Sequence, residues 1–447
     1  MSEQAKLQQA IEHVLNSVQG QGAEADVIAS SSNSFSLKAN KGELDEYKVT
    51  SGQVIGVRVV KDQRVATSYS ESLEPASLEL MIKNALESAR FAKVDEHQQI
   101  RCLNSRIDSD RAEINQPDET SVDDKIALSL SLEQGVVSKP NASSSPYNGY
   151  GESESQLLIA NTQGSLCSHK ERSVSCYAYT LFEQEGKQSM GGASSTGRSF
   201  SELNPDHCIN HGYETARDLI DGEPVSTGNY SVIFEVNALS SLIGAFSLCL
   251  SGVGAMKGIN PWREKVGQQV ASPLFSLTDK AYVEGGMNIS AFDSEGFATQ
   301  DNTLINNGEL STLLHNSHTA NAMGVDSTSS AARSAKSSLE VTTQHKVISV
   351  GSASQEELTG GEYLELLDLH GVHSGADAVS GDFSFGADGF LCRDGKRIQP
   401  VRGITVAGNF YKLLNEIDAM GSVLEISESR NFYSPAIRFS RLSIGGK

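Results

Sequence analysis

Two histidines and a glutamate lie at helical spacing in the segment HCINHGYE, residues 207–214. On a helix, His207, His211 and Glu214 would share one face, as the zinc ligands of some peptidases do. The segment lacks a glutamate directly after its first histidine, where HExxH enzymes carry their general base. The apolar and small residues fall on the opposite side of the helix: Ile209, Gly212, Ala216, Leu219 and Ile220. The pattern therefore favours a solvent-exposed polar face, and a metal site completed by another chain is the alternative.

Two carboxylates lie close together in FDSEG, residues 292–296. On a strand, Asp293 and Glu295 would share a face, where they could act as an acid–base pair or bind a cation. Asp293, Ser294 and Gly296 are also common turn residues, and no histidine lies nearby in the sequence. A turn is therefore the favoured interpretation.

The segment GVHSGADAVSGDFSFGADGF, residues 371–390, combines glycines with polar side chains. Glycine lets a second backbone approach closely, so an extended peptide could pair its backbone along a strand here. In the alternative, the glycines serve only tight turns and packing within a β-meander, and the sequence leaves both interpretations open. The candidate peptide-groove residues are His373, Ser374, Gly375, Gly381 and Asp382, together with Asp293 and Glu295.

Other nucleotide and hydrolase motifs are weak or missing from the sequence. GVGAMKG, residues 252–258, follows a predicted helix rather than a strand and has GxGxxxG spacing, so we interpret it as a flexible turn and not a dinucleotide loop. Neither GxSxG nor GxxxxGK[ST] occurs in the sequence, which disfavours a serine hydrolase and a nucleotide hydrolase.

Length and composition restrict the class of protein. A chain of 447 residues is too long to fold around a single compact core. Its net charge of −20 disfavours nucleic-acid binding. No secretory signal and no apolar run long enough for a bilayer are present, so we expect a cytoplasmic protein without a membrane partner. The scattered cysteines form no CxxC pair and predict reduced thiols: Cys102, Cys167, Cys176, Cys208, Cys249 and Cys392.

The hydrophobic patterns predict an α+β fold with mixed, largely antiparallel sheets and flanking helices. We expect an N-terminal α+β domain at 1–110, a β-rich middle domain ending in a helix at 111–226, and a C-terminal domain at 227–447. The glycine- and serine-rich stretch 184–199 has few apolar anchors and is expected to be a mobile loop. An apolar helix with Leu239, Leu242, Ile243, Phe246 and Leu250 facing inward follows the strand YSVIFEV.

The order of motifs in the second half of the chain resembles the TldD/PmbA family. FDSEG is followed by LINNGEL, NAMG, GVHSGADAVSGDFSFGADGF, PVRGITVAGN and LEI. In the first half, GVRVVKDQRVATSYS and the helix ALESARFAK look like the N-terminal half of the family. The resemblance covers nearly the whole chain, and the glycine-rich segment is most similar to the PmbA (TldE) branch.

The resemblance implies a PmbA/TldD-like N-terminal α/β region, a β-rich C-terminal domain and a role in proteolysis. In this family, TldD and TldE subunits form a complex that cleaves unfolded peptides and processes a modified peptide antibiotic. The TldD branch carries HExxxH on a helix of the C-terminal half, and a cysteine nearer the C-terminus completes its zinc site.

The stretch matching HExxxH in this sequence is SSLIGA, residues 240–245. Ser240 and Ala245 fall at the histidine positions, and Ser241 falls at the glutamate position. These side chains lack the groups that bind zinc and activate water, and no cysteine lies in residues 421–447. The comparison predicts no catalytic residue, no metal and no cofactor in this chain, with zinc held by a TldD-like partner.

The sequence therefore predicts a non-metal-binding, TldE-like subunit of a TldD/TldE-type metallopeptidase. Its partners would be a TldD-like catalytic subunit and a peptide substrate, with a homodimer of the isolated chain as an alternative assembly. Two other functions stay open. One is an independent hydrolase that uses His373 or the pair Asp293 and Glu295, and the other is a non-enzymatic regulator of a gyrase or toxin–antitoxin partner.

Overall fold

The computed structural model describes residues 3–101, 105–109, 111 and 113–447, and it contains two large sheets with helices packed against them. The predicted α+β class is therefore confirmed. Cys102 and the domain boundary proposed at Asp110 lie outside the described residues. Within the described part of the chain, no helix combines the length and the hydropathy that a bilayer-spanning segment needs.

The first sheet has eight strands in the order β3-β2-β1-β6-β7-β4, with β5 and β8 also paired to β7. Its strands are β1 Glu24–Asn40, β2 Glu43–Lys61, β3 Arg64–Ser70, β4 Arg106–Ser109, β5 Ala142–Ser144, β6 Asn148–Asn161, β7 Leu166–Gln184 and β8 Lys187–Gly197. Its helices are α1 Glu3–Gly20, α2 Pro75–Phe91, α3 Val122–Val137 and α4 Pro205–Asp218. The first two predicted units thus share one continuous sheet, because β1 pairs with β6.

Alternation along the strands gives this sheet two different faces. Ala25, Val27 and Ala29 of β1 are buried under α1 and α2 in one hydrophobic cluster. Ile28, from the same strand, belongs to a separate cluster with Phe292 of the C-terminal region. One face therefore carries helices, and the other packs against the C-terminal domain.

The expected mobile loop at 184–199 is wrong, because most of it forms strand β8 paired with β7. The glycines of this stretch allow close packing. A Cβ on Gly191 would lie 2.5 Å from the carbonyl oxygen of Gly212 in α4. A Cβ on Gly192 would lie 2.3 Å from the ring of Tyr179. The lack of side chains at Gly191 and Gly192, which predicted a loop, is what allows α4 and the Tyr179 ring to pack closely against β8.

The second sheet has ten strands in the order β12-β11-β10-β15-β20-β18-β17-β16-β9, with β19 paired to β20. Strand β9 pairs with both β16 and β20, so five of these strands close into a ring. The strands are β9 Gly228–Phe234, β10 Leu277–Lys280, β11 Asn302–Asn306, β12 Glu309–Leu310, β15 His345–Ile348, β16 Glu362–His370, β17 Asp382–Arg393, β18 Lys396–Asn409, β19 Ile417–Ile426 and β20 Phe432–Gly445. A two-stranded sheet joins β13 Ala331–Ala332 to β14 Glu340–Val341.

Short helices cover the second sheet. They are α5 Val236–Ala245, α6 Gly252–Met256, α7 Ser317–Met323, α8 Gln355–Thr359, α9 Val372–Gly375 and α10 Phe410–Leu413. The predicted inward face of the apolar helix is confirmed for Leu239, Leu242 and Ile243 of α5. Phe246 and Leu250 are buried in the same core but follow the end of the helix. The segment 252–258 is not a flexible turn throughout, since α6 occupies most of it with Ser251 as its N-cap.

Four charged side chains are buried where the two sheets meet. The Arg58 guanidinium donates from Nε to Asp26 Oδ2 at 2.7 Å and lies 3.3 Å from Glu295 Oε1 through Nη2. Arg333 donates to Asp26 Oδ1. Glu295 also accepts bonds from the backbone N–H, at 2.8 Å, and the hydroxyl of Ser317. Each of the four charged side chains is at most 5% exposed and has therefore lost most of its contact with water. The ion pairs and hydrogen bonds of this buried charge network compensate for that lost solvation.

The FDSEG segment forms the predicted turn, with Gly296 at φ +84° and its N–H donating to Asp293 O at 2.9 Å. The Asp293 carboxylate accepts backbone N–H groups from Glu295, Phe297 and Ala331. Burial, reinforced by the neighbouring charge of Glu295, raises the pKa of Asp293 to about 7.

Asp26→Asn should destabilise the fold strongly, because it leaves Arg333 without its carboxylate partner and removes one of the two partners of Arg58. We expect the free energy of unfolding to fall by about 3–5 kcal/mol, measured by urea titration. Glu71→Gln is the control, since Glu71 also pairs across the domains, with Lys336, but is exposed. Equal, small effects of the two substitutions would contradict a structural role for the buried charge network.

Asp293→Asn should flatten the pH dependence of stability. An unfolded aspartate has a pKa of about 3.9, so between about pH 4 and pH 7 the folded chain keeps a proton that the unfolded chain loses. The contribution of Asp293 to stability is therefore greatest below about pH 4 and is lost as the pH rises to about 7. Paired thermal melts should show the deficit of the variant shrinking with rising pH, at no more than about 1.4 kcal/mol per pH unit. A constant deficit would contradict the raised pKa.

Candidate functional site

The two histidines of HCINH lie on the solvent side of α4, as the helical pattern predicts. The rings of His207 and His211 stack with centroids 5.2 Å apart, and both residues and Glu214 are exposed. The predicted apolar side of the segment is buried. Among the residues that the structure describes, no three His, Cys, Asp or Glu side chains come together with metal-binding geometry, so HCINH belongs to no metal centre formed by them.

Asp293 and Glu295 do not form part of an exposed peptide groove, which corrects the expectation from the sequence. They are 3% and 7% exposed, and their oxygens already accept bonds from the chain's own backbone, Ser317 and Arg58. A carboxylate engaged in this way is not available to a peptide or a cation. The two residues instead fix the turn that joins the sheets.

The 371–390 segment forms α9 and β17, and β17 has no free edge for a peptide. It pairs with β18 along its full length and with β16 over its second half. Near its start, Phe383 is bridged by Ala376. A Cβ on Gly375 would lie 2.3 Å from Ser384 O, and one on Gly381 would lie 2.4 Å from the Tyr411 ring. The structure thus supports the packing interpretation for these glycines and not backbone pairing along β17.

Three of the candidate groove residues do lie on the surface. His373 and Ser374 are exposed on α9, which packs beside α5, and Asp382 is exposed at the start of β17. Asp382 Oδ1 accepts a bond from Asn409 Nδ2 at 2.8 Å. These three residues are exposed beside α5, and their role in a peptide groove stays a prediction.

Helix α5 carries the stretch that, by the resemblance, matches the zinc-binding helix of the TldD branch. Ser241 is exposed, whereas Ser240 and Ala245 are half-buried, so this face of the helix borders the surface. A serine hydroxyl is a poor zinc ligand and a methyl group is none, whereas zinc sites use His, Cys, Asp or Glu. The side chains of α5 therefore do not fit a catalytic zinc ion.

Glu428 connects the start of α5 to the edge of the first sheet. Its backbone N–H donates to Asn237 Oδ1 at 2.9 Å. Its carboxylate accepts the N–H and the hydroxyl of Ser194 on β8, at 3.2 and 2.6 Å. The residue thus holds β8 and α5 at a fixed separation.

An aromatic groove of about 550 Å³ lies along this junction. Alternation on β7 turns Cys176 and Ala178 toward α4 and turns Tyr177 and Tyr179 to the opposite face. The rings lie over glycines of neighbouring strands, since a Cβ on Gly149 or Gly192 would meet them. The groove is lined by Tyr147, Ser175, Cys176, Tyr177, Tyr179, Met190, Ser194, Thr196 and Glu428.

Sequence reasoning did not find this aromatic groove, although the alternation in SCYAYT of β7 was a usable signal. Tyr147 and Met190 are 59% and 49% exposed, and the Tyr147 ring meets the Tyr179 ring edge-on with centroids 5.8 Å apart. Among the described strands, β8 pairs with β7 alone and leaves its other edge beside the groove. The chain thus presents exposed rings next to an open strand edge.

Three carboxylates around the start of α5 have no cationic partner among the described residues: Glu235, Glu425 and Glu428. Glu235 caps α5 by accepting the N–H of Asn237 at 2.7 Å. Burial, with a smaller contribution from the charge of Glu428, raises the pKa of Glu235. Burial and the charge of Glu235 raise the pKa of Glu425. Of the three, Glu428 lines the groove, so the groove ends beside a group of neighbouring carboxylates that the described residues do not neutralise.

Comparison with known proteins gives matches along most of the chain. Three family models match: PmbA/TldA metallopeptidase domain 1 at residues 25–89, the central domain at 115–221 and the C-terminal domain at 227–446. The chain is 24% identical over 450 residues to the metalloprotease PmbA of Escherichia coli O157:H7, covering 99% of this chain and 96% of that protein. It is 24% identical over 322 residues to a metalloprotease TldD homolog of Buchnera aphidicola subsp. Acyrthosiphon pisum, covering 65% and 66% of the two chains.

Two solved structures share the fold. A putative modulator of a DNA gyrase from Thermotoga maritima superposes with a TM-score of 0.84 at 23% identity, covering 98% of this chain and 100% of that one. TldE from Thermococcus kodakarensis superposes with a TM-score of 0.83 at 20% identity, with the same coverage. The three matching domains and the shared fold confirm the resemblance seen in the motifs, and the chain belongs to the PmbA/TldD metallopeptidase family.

Proposed function

We propose that this chain is the non-metal-binding, TldE-like subunit of a cytoplasmic TldD/TldE-type metallopeptidase that degrades unfolded peptides or processes modified ones. The chain holds an extended peptide, and a TldD-like partner supplies the zinc ion that activates water. The observation that carries the proposal is the set of side chains on α5. By the resemblance, Ser240 and Ala245 fall at the histidine positions of the TldD branch, and Ser241 falls at its glutamate position. The described cysteines are free thiols, which suits the reducing cytoplasm.

The aromatic groove and the open edge of β8 supply the means to hold a peptide. An extended peptide gains affinity from main-chain hydrogen bonds to an open strand edge, and neighbouring pockets take alternate side chains. Strand β8 replaces β17 as the candidate edge, because both sides of β17 are already paired. Glu428 then places this edge at a fixed distance from α5 and from the exposed residues of α9.

Holding the peptide is itself a contribution to catalysis. A substrate fixed against a nucleophile avoids part of the entropic cost of a bimolecular step, which is worth several kcal/mol in favourable cases (about 7–11 at the upper end). This chain's residues bind and orient the peptide, and its α5 offers no group that could take a proton from water. Proton transfer to and from water falls to the partner.

The partner surface includes exposed apolar side chains near the same junction. Val423 and Ile426 at the end of β19 are 71% and 53% exposed. Such a patch beside the groove suits an interface with a TldD-like subunit, and a homodimer of the isolated chain would use the same patch in its absence.

An independent hydrolase acting through Asp293 and Glu295 is disfavoured, since both carboxylates are buried and engaged. No contact in the described structure favours the regulatory alternative.

Metal analysis of the chain with and without a TldD-like partner tests the proposal. The purified chain should hold zinc well below one equivalent and cleave no unfolded peptide, whereas the co-purified complex should hold zinc and lose its peptidase activity with a chelator. Chelator-sensitive cleavage by the pure chain would contradict the assignment, as would failure of the two subunits to associate.

His207→Ala combined with His211→Ala should leave the zinc content and the peptidase activity of the complex unchanged. The two imidazoles stack on the exposed face of α4, and Cys208 between them faces the core. The comparison is zinc per complex and turnover beside the unsubstituted chain. A parallel loss of zinc and turnover would instead show that α4 donates ligands across the subunit interface.

A further inference from the structure

We propose that the aromatic groove selects peptide segments that carry a lysine or arginine next to an apolar or aromatic residue. The inference rests on the proposed function and specifies its substrate class. Its two elements are the tyrosine wall formed by Tyr147, Tyr177 and Tyr179, and a group of carboxylates near the start of α5. Glu428 lines the groove, Glu235 interacts electrostatically with Glu428, and Glu425 interacts with Glu235.

The carboxylates favour a cation because the chain does not neutralise them. Glu428 is held by the neutral groups of Ser194, and Glu235 by those of Asn237. The described part of the chain provides no ion pair to either of them or to Glu425. Ionising each further carboxylate in this half-buried region costs more free energy than ionising the one before, because the negative charges repel one another. A bound ammonium or guanidinium group reduces that repulsion.

The tyrosine wall favours the same kind of side chain. A cation above a tyrosine ring is attracted to the π face, and the methylene stem of lysine or arginine packs against the ring. Tyr179 can supply both contacts, because the residue is 37% exposed. Burial, together with the charges of Glu428 and Asp368, raises the pKa of its hydroxyl, which places this side chain near those carboxylates. An adjacent apolar residue would lie against Tyr147 and Met190, which are more exposed still.

The arginines near the groove are engaged elsewhere. Arg430 donates to Thr196 O at 3.1 Å and lies 3.8 Å from Glu202, and Arg402 donates to Gln188 O at 2.9 Å. Both bind carbonyls of the strand β8. The geometry therefore leaves the carboxylate end of the groove open to a cation from the peptide.

The acidic positions do not form a metal site. No group of three metal-binding side chains with suitable geometry occurs among the described residues, and these carboxylates are no exception. A diffuse acidic surface suits a mobile ammonium or guanidinium, which needs no fixed coordination geometry, better than it suits a metal ion.

Binding of three labelled peptides to the full chain tests the inference. The probes are unstructured peptides of equal length that share one tryptophan and carry only lysine, only glutamine or only glutamate at the remaining variable positions. Fluorescence anisotropy should show the lysine peptide binding at least about tenfold more tightly than the glutamate peptide. This preference should weaken as salt is added.

Two substitutions distinguish binding that depends on the groove from binding that depends only on the overall negative charge of the chain. Glu428→Gln keeps both contacts with Ser194, since the amide oxygen can accept the N–H and the amide nitrogen can donate to the hydroxyl. It should weaken binding of the lysine peptide about two- to fivefold and leave the glutamine peptide unchanged. The matched control is Glu87→Gln, an equal charge change on α2 across the sheet, which should leave both affinities unchanged.

Tyr179→Leu tests the aromatic wall. The substitution keeps an apolar side chain but removes the π face, so it should weaken the lysine peptide more than the glutamine peptide. Far-ultraviolet circular dichroism and the thermal midpoint of each variant serve to confirm an intact fold.

The outcomes distinguish this inference from the proposed function. Equal binding of all three peptides, or equal effects of Glu428→Gln and Glu87→Gln, would overturn the charge preference and leave the peptide-holding role in place. Absence of lysine-peptide binding would also overturn it. Failure of the proposed function would appear separately, as zinc-dependent peptidase activity in the isolated chain or as failure to associate with a TldD-like subunit.

Discussion

The geometry of this protein depends on four charges buried between its two sheets. Asp26 and Arg58 come from the first sheet, and Glu295 and Arg333 come from loops of the C-terminal domain. Each charge would cost several kcal/mol if it were buried alone, so the pairing holds only when both sheets face each other in one register. Close approach reinforces this, since a Cβ on Gly56 would lie 2.0 Å from Ala335 O. The buried charge network therefore fixes the separation of surfaces far from itself, including the two sides of the aromatic groove.

Glu428 makes a second connection between the sheets, and its side chain is half-buried rather than fully buried. One residue satisfies the outward N–H of Ser194 on β8 and orients Asn237 at the start of α5. An edge strand with unpaired amides is a liability unless something covers it. Here the Glu428 carboxylate accepts the N–H of Ser194, while Arg402 and Arg430 donate to the carbonyl groups of Gln188 and Thr196. These contacts leave the middle of β8 open. The part of the edge left open is the part that lies beside the tyrosines.

Local features were predictable from the sequence, and features that join distant segments were not. The inward faces of α1, α2 and α5 and the exposed histidines of α4 follow from helical spacing. The glycines of β8 form no apolar pattern and so predict a loop, although α4 and Tyr179 pack against those glycines. FDSEG showed its two carboxylates and its turn, but nothing near it in the sequence pointed to Arg58. The aromatic groove was missed for the same reason, since Tyr147 and Glu428 are joined only by the packing of one sheet on the other.

The serine and alanine side chains of α5 also bear on what the surrounding carboxylates can do. Next to a bound zinc ion, unpaired glutamates would compete as ligands and would weaken the metal's pull on water. Because the side chains of α5 do not fit a zinc ion, Glu235, Glu425 and Glu428 have no metal ion to compete for, and the repulsion among them favours a cationic guest. The side chains of α5 that do not fit a zinc ion thus leave these carboxylates available to a cationic side chain. Under the proposed function, this corner of the fold would serve to select peptides by charge and not to activate water.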